Sequence, residues 1–243
     1  MFPPLPPQKQ SGFTLVELLI SVSIAGTLAA LLFATLPRIQ QRAAEAKCIG
    51  NLHTIANASA IYVGEYGFWP SFNREDVNNP SAYGAHPWFY SLLTQKYLPY
   101  RTMDRDGYPC MVADALICPA NKTNPGSRYQ WTSAPYPWRS NYTTTTYWGN
   151  TGGKPDVIPG AGDRIRPSVI SNSSAIYLID STTSTQAGYP NQAAAWNSKN
   201  SFIAKVHNGG ANALLANGAV VRITPASHPD IASPKYWDPR YSQ

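Results

Sequence analysis

The sequence predicts an α+β fold, with one long N-terminal helix, lipid-soluble over its first half, packed by its second half on a small antiparallel β-sheet domain with long loops. Three observations predict it. From Phe13 to Leu36 the chain is apolar and Glu17 is its only charge; at 1.5 Å per residue the run spans roughly 36 Å, enough to cross a hydrocarbon core. Helical spacing then continues, because Leu52, Ile55, Ser59, Tyr62 and Tyr66 recur at steps of three and four, the pattern of a stripe that packs on a domain. Short apolar runs return at 175–179, 202–206, 211–215 and 219–223, and Ala216-Asn217-Gly218 joins the last two.

Taken in order, residues 1–12, MFPPLPPQKQSG, hold four prolines and no apolar core, so they form neither a helix nor a secretory h-region. The long helix begins at Phe13. Gly67 suits its C-terminal cap and Pro70 forbids resumption. The predicted helix of residues 13–66 is thus roughly 80 Å long, with Pro37 as the place for a kink or local melt. A second helix is expected over Pro87–Tyr97, where Trp88, Phe89, Leu92, Leu93 and Tyr97 make one apolar face. Residues 100–170, dense in proline, read as loops with short strands. Asn217-Gly218 between apolar strands signals a hairpin in which both turn residues take positive φ.

A carboxylate inside a membrane span costs about 2.5–3.5 kcal/mol at the helix centre and less near its end, so Glu17 needs a reason. The polar leader ending at Gly12, followed by Phe13-Thr14-Leu15-Val16-Glu17 and a long apolar helix, closely resembles the type IV prepilin signal of pilins and type II secretion pseudopilins. The resemblance implies that a prepilin peptidase cuts between Gly12 and Phe13 on the cytoplasmic side and methylates the Phe13 amine. Glu17 then stands fifth in the mature chain, where the family keeps a glutamate that serves assembly. Charge alone argues for the opposite orientation, since Lys9 precedes the span while Arg38, Arg42 and Lys47 follow it; the motif outweighs that count.

The resemblance extends further. CIGNLHTIANASAIYVGEYGFWP, LICPAN, SSAIYLIDS and VHNGGANALLANGAVVRI are similar to the prepilin-like proteins of planctomycete- and verrucomicrobium-type bacteria that carry a C-terminal H-x9-D-G signature. Here nine residues separate His207 from Asn217-Gly218, so asparagine replaces the aspartate. The implied organisation is a leader at 1–12, the helix at 13–66 and a pilin-like globular head at 67–243. The implied role is a structural subunit of a type II secretion pseudopilus or type IV pilus-like fibre. Its implied partners are the prepilin peptidase, copies of itself, other pilin-like subunits and an inner-membrane assembly platform. Its implied location is the bacterial inner membrane, single-pass with a cytoplasmic N-terminus, and then a periplasmic or cell-surface filament. The same features also suit a minor-pilin module that binds glycan, DNA or protein, or a monomeric membrane-tethered binding protein.

Composition narrows the chemistry. The net charge of +6 is scattered without basic runs, which argues against a nucleic-acid partner. Cys48, Cys110 and Cys118 allow one disulfide and one remaining thiol. Cys110 with Cys118 closes the shorter loop, yet Cys48 and Cys118-Pro119 have counterparts in the similar proteins, so the partner of Cys118 stays open between them. His207 has no cysteine or carboxylate spaced around it as metal ligands and reads as a structural histidine tethering the hairpin. Asp104-Arg105-Asp106-Gly107 resembles the opening of a calcium loop but lacks the later bidentate acid, and a polar turn is the plainer reading. Trp131, Trp138 and Trp148 are either stacking platforms or core. No nucleophile, base and orienter set is visible. Neither catalysis nor a cofactor or metal is expected.

Overall fold

The computed structural model describes residues 13–70, 88–105, 108–121, 136–137, 140–144, 146–148, 165–182, 196 and 201–242. The chain forms two compact units, Met1–Ala43 and Ala44–Gln243, and the first helix, α1 (Leu15–Tyr66), contributes residues to both. It runs unbroken through Pro37, so the expected melt does not occur, although the proline leaves the Phe33 carbonyl without its usual helical donor. At its end, Gly67 takes φ +76° and its N–H bonds the Val63 carbonyl at 2.8 Å. That left-handed cap is the one the glycine is suited to form.

In the first unit every described residue is exposed, including Leu15, Leu19, Leu28, Leu32 and Phe33. This part of α1 is apolar and long enough to cross a membrane, with a mean hydropathy of 2.2 over its most apolar 18 residues.

In the second unit α1 buries one face, made by Cys48, Asn51, Leu52, Ile55, Ala58, Ser59 and Tyr62, with Tyr66 packed at its margin. Trp88, Phe89, Leu92 and Leu93 are fully buried against the same core. The helix here, α2 (Tyr90–Thr94), carries only Leu92 and Leu93 of these and is one turn long instead of spanning 87–97. Lys96 stops it at φ +61° with its N–H on the Leu93 carbonyl; Pro87 lies outside the described residues.

Two sheets follow. In the smaller, β1 (Arg101–Arg105) pairs antiparallel with β2 (Tyr108–Val112), which pairs parallel with β3 (Tyr136–Pro137). The larger is antiparallel, in the order β4 (Tyr142–Thr143), β5 (Ile176–Asp180), β6 (Ala211–Leu215), β7 (Val220–Ile223). The expected strand at 202–206 is reduced to a single bridge between Ile203 and Ser181, because the chain turns away at His207 to close a tight hairpin with Gly210.

All of β5 is buried because the larger sheet is covered on both faces. Tyr177, Leu178 and Leu214 join the core built on α1, while Ile176, Ile179 and Ala213 pack with Phe202, Ile203, Ile231 and Trp237. A register shift between Ile176 and Leu178 breaks the two-residue alternation and lets Ile176 and Ile179 share a face. Trp148 is fully buried, edge-on to Trp69, with its Nε1–H on the Ile176 carbonyl at 2.8 Å. It belongs to the core and offers no stacking platform; Trp131 and Trp138 lie outside the described residues.

Candidate functional site

Gly12 lies outside the described residues, and Phe13 is exposed where the chain enters α1. Glu17 is also exposed, and its carboxylate does local work. Oε2 accepts the Thr14 N–H at 2.9 Å and the Thr14 hydroxyl at 2.8 Å, while the Thr14 Oγ1 accepts the Glu17 N–H at 3.3 Å. Thr14 at the N-cap and Glu17 three positions on form a reciprocal capping box, which satisfies backbone donors that a helix start leaves open. In an apolar surrounding those donors are costly to leave bare. The signal is present as Thr-x-x-Glu, but the apolarity of the run draws attention to the charge and away from the threonine.

A second constellation is buried in the head. The disulfide joins Cys48 of α1 to Cys118, and Cys110, itself buried, stays outside it. The shorter Cys110–Cys118 loop does not form. Closing residues 70 apart costs only roughly 2 kcal/mol more chain entropy than closing the short loop, less than packing the buried face of α1 contributes.

His207 Nε2 sits 3.6 Å from Cys118 Sγ and 3.1 Å from Asp180 Oδ2, with the His207 and Asp180 side chains both buried. Asp180 Oδ2 also accepts the Asn212 N–H at 2.7 Å. Burial pushes the Asp180 carboxyl above its ordinary value, against the downward pull of His207. The neighbours that spacing could not supply for His207 therefore come from the end of β5 and from a disulfide, each distant in sequence. Asn141 knits the surroundings: its Oδ1 accepts the Cys118 N–H at 3.0 Å and its carbonyl the Ser181 N–H at 2.7 Å.

The block after His207 contains two Asn-Gly turns of different kinds. His207 and Gly210 exchange both backbone hydrogen bonds, with Asn208 at φ +47° and Gly209 at φ +78°, the double positive φ of a primed two-residue hairpin. At Asn217-Gly218 only Gly218 is positive, at φ +83°. The expectation of two positive residues there fails. The Gly218 N–H returns to the Leu215 carbonyl, and the Leu215 N–H to the Ala219 carbonyl, giving a three-residue loop with glycine in the bulge position. Asn217 instead accepts the Ala219 N–H through Oδ1. Arg222 of β7 grips the first turn, donating through Nη2 to the His207 and Asn208 carbonyls. Gly210 packs so tightly that a Cβ would stand 2.5 Å from the Ile223 carbonyl oxygen.

Of the two carboxylates in the calcium reading, Asp104 lies in β1 opposite Pro109. Asp106 lies outside the described residues.

A long apolar helix entered through a capped carboxylate, together with an α+β head of small, mainly antiparallel sheets, makes a pilin-like arrangement. The prokaryotic N-terminal methylation motif matches residues 7–33, which include Gly12, Phe13, Thr14, Glu17 and much of the exposed apolar run. The chain thus carries a prepilin-type motif, which implies processing by a prepilin peptidase and assembly with other pilins in general. It is consistent with anchoring in a membrane. The match ends well before His207, Asn217 and Gly218, so the C-terminal signature rests on resemblance. No curated protein and no solved structure matches the chain.

Proposed function

We propose that the protein is a non-enzymatic structural subunit of a pilin-like filament, a type II secretion pseudopilus or a type IV pilus-like fibre. It is cut after Gly12, methylated at Phe13 and polymerised through the first half of α1. The observation that supports this reading best is the apolar surface of that half, which starts at Phe13 and is exposed throughout among the described residues. Such a surface suits lipid before assembly and neighbouring helices after it. The subunit then waits in the inner membrane with its N-terminus cytoplasmic, and enters a periplasmic or surface filament on an assembly platform.

Mass spectrometry of filaments from the native organism tests this. The subunit should begin at N-methylated Phe13. Retained Met1, cleavage elsewhere, or absence of the chain from every filament would overturn the reading.

One observation favours a second role, that of a minor subunit binding a glycan. A cleft of about 540 Å³ in the head is lined by Arg222, His228, Lys235, Tyr236 and Tyr241, a mixture of cations and rings that suits an acidic sugar. Calorimetry with acidic and neutral oligosaccharides distinguishes it from a bulk subunit, which binds neither.

A further inference from the structure

The buried sulfurs of Cys48 and Cys118 and the ring nitrogen of His207 lie within 4.8 Å of one another, and the Asp180 carboxylate stands just outside that group, 3.1 Å from the same nitrogen. We propose that reduction of the Cys48–Cys118 disulfide converts this cluster into a site for one borderline-soft divalent cation of the zinc type, held by Cys48 Sγ, Cys118 Sγ, His207 Nε2 and the Asp180 carboxylate.

Part of the geometry is already in place. Tetrahedral zinc with bonds of about 2.0–2.3 Å needs ligand atoms roughly 3.3–3.8 Å apart. His207 Nε2 stands 3.6 Å from Cys118 Sγ and 3.1 Å from Asp180 Oδ2, so these two separations are close to those values, while the two sulfurs must part and the Asp180 carboxylate must swing toward them. A second, independent observation points to a ligand. Asp180 Oδ1 is buried and has no hydrogen-bond partner among the described residues, and the same holds for Asn141 Nδ2 and both side-chain polar atoms of Asn212. These residues bracket the cluster, since Asn212 donates its N–H to Asp180 and Asn141 accepts that of Cys118. A buried carboxylate oxygen without a donor is costly, and a cation removes that cost.

The chemistry balances with a dithiol as reductant. The donor's two thiols become its own disulfide, two electrons break the Cys48–Cys118 bond, and two protons arrive on the sulfurs. The cation then displaces both protons as two metal–sulfur bonds form, while His207 ligates as the tautomer carrying its proton on Nδ1. Disulfide and metal would thus be alternative clips between α1 and the loop holding Cys118, so the link survives reduction. The pattern is hidden in the sequence because its four ligands come from four separate segments.

The test uses the full chain in detergent, reduced without oxygen by a phosphine that is then removed, and titrated with Co²⁺. The expected result is one Co²⁺ per chain, with sulfur-to-cobalt charge-transfer absorption and tetrahedral visible bands that Zn²⁺ bleaches. The oxidised protein shows neither. His207→Gln and Asp180→Asn should each weaken the affinity by about tenfold or more, whereas Cys110→Ala leaves the titration unchanged. Should either ligand variant fail to fold, X-ray absorption at the zinc edge of the reduced wild type decides, with two sulfurs and two lighter ligands expected. Uptake below one equivalent, a shell of sulfur alone or of oxygen alone, or unchanged affinity in a folded His207→Gln protein would overturn the proposal.

Discussion

Two carboxylates illustrate how differently the two units of this chain handle charge. Glu17 begins an apolar helix and is fully exposed, yet it is held by Thr14 three residues away. Asp180 ends a buried strand and is held by His207 and Asn212, both remote in sequence. Local geometry satisfies the first even before any partner is present. Only the completed fold brings partners to the second, and among the described residues it brings them to Oδ2 alone. The comparison predicts that removing Glu17 spares the head and removing Asp180 damages it, while interactions with other subunits depend in the reverse way.

The largest effect is expected from Glu17→Val. A carboxylate at the entrance of an apolar helix can pair with the amine of a neighbouring Phe13 and set the axial register between subunits. A buried pair of that kind contributes specificity more than stability. The variant should insert in the membrane, be cut after Gly12 and leave the head's melting unchanged, while filament yield falls close to nothing by electron microscopy. Filaments at the wild-type level would remove Glu17 from assembly. Next in size is Asp180→Ala, which strands a buried histidine and a buried Asn212 N–H and should cost about 3–5 kcal/mol. Denaturant unfolding of the full chain in detergent measures it; a loss below the cost of an ordinary surface substitution would show that the pair is not formed.

This contrast also explains what could be read from the sequence. The stripe from Leu52 to Tyr66, the Gly67 cap and strands β5 to β7 were legible because each is encoded within one or two turns of helix or one alternating run. The Asp180–His207 contact was not, since nothing local in Ile-Asp-Ser or His-Asn-Gly announces the other. The disulfide was equally opaque: loop length favours Cys110, and the packing of α1 decides for Cys48. The run 202–206 looked like a strand because apolar residues in a row serve a buried bridge as well as a ladder. The two Asn-Gly turns share a dipeptide and differ in loop length, which depends on where the flanking strands pair.

Gly218→Val sharpens the comparison within the head. Gly218 is at φ +83° with open space around its missing side chain, so the cost is backbone strain alone, about 1–3 kcal/mol. Gly218→Asn should recover most of that loss, because asparagine tolerates the left-handed region. Equal melting temperatures for valine and wild type would show that the positive φ is not required. Thr14→Val is smaller. It removes the reciprocal cap but keeps the Glu17 carboxylate, and should cost about 1 kcal/mol of local helix stability, read as faster amide exchange at the first turn. Filaments should still form; if they vanish as in Glu17→Val, the cap matters to assembly more than the charge.

The smallest effect concerns His228, on the rim of the cleft in the head. Burial first, and Lys235 second, hold its pKa below the ordinary 6.5. Its carbonyl accepts the Trp196 Nε1–H at 2.6 Å, and its ring lies against Tyr236. The unfolded chain therefore binds more protons than the native one between the native value and 6.5, so stability rises with pH across that window. The contribution is fully present above 6.5 and lost as pH falls through the native value. Because the ring is substantially exposed, solvent screens the effect and it should amount to a shallow slope. The difference between the melting curves of wild type and His228→Gln, followed against pH, isolates it from the other carboxylates and histidines. That difference should shrink as the solution is acidified below 6.5; a difference that widens instead would mean that the protonated ring is the form the folded head prefers, with the cleft already holding a negative charge.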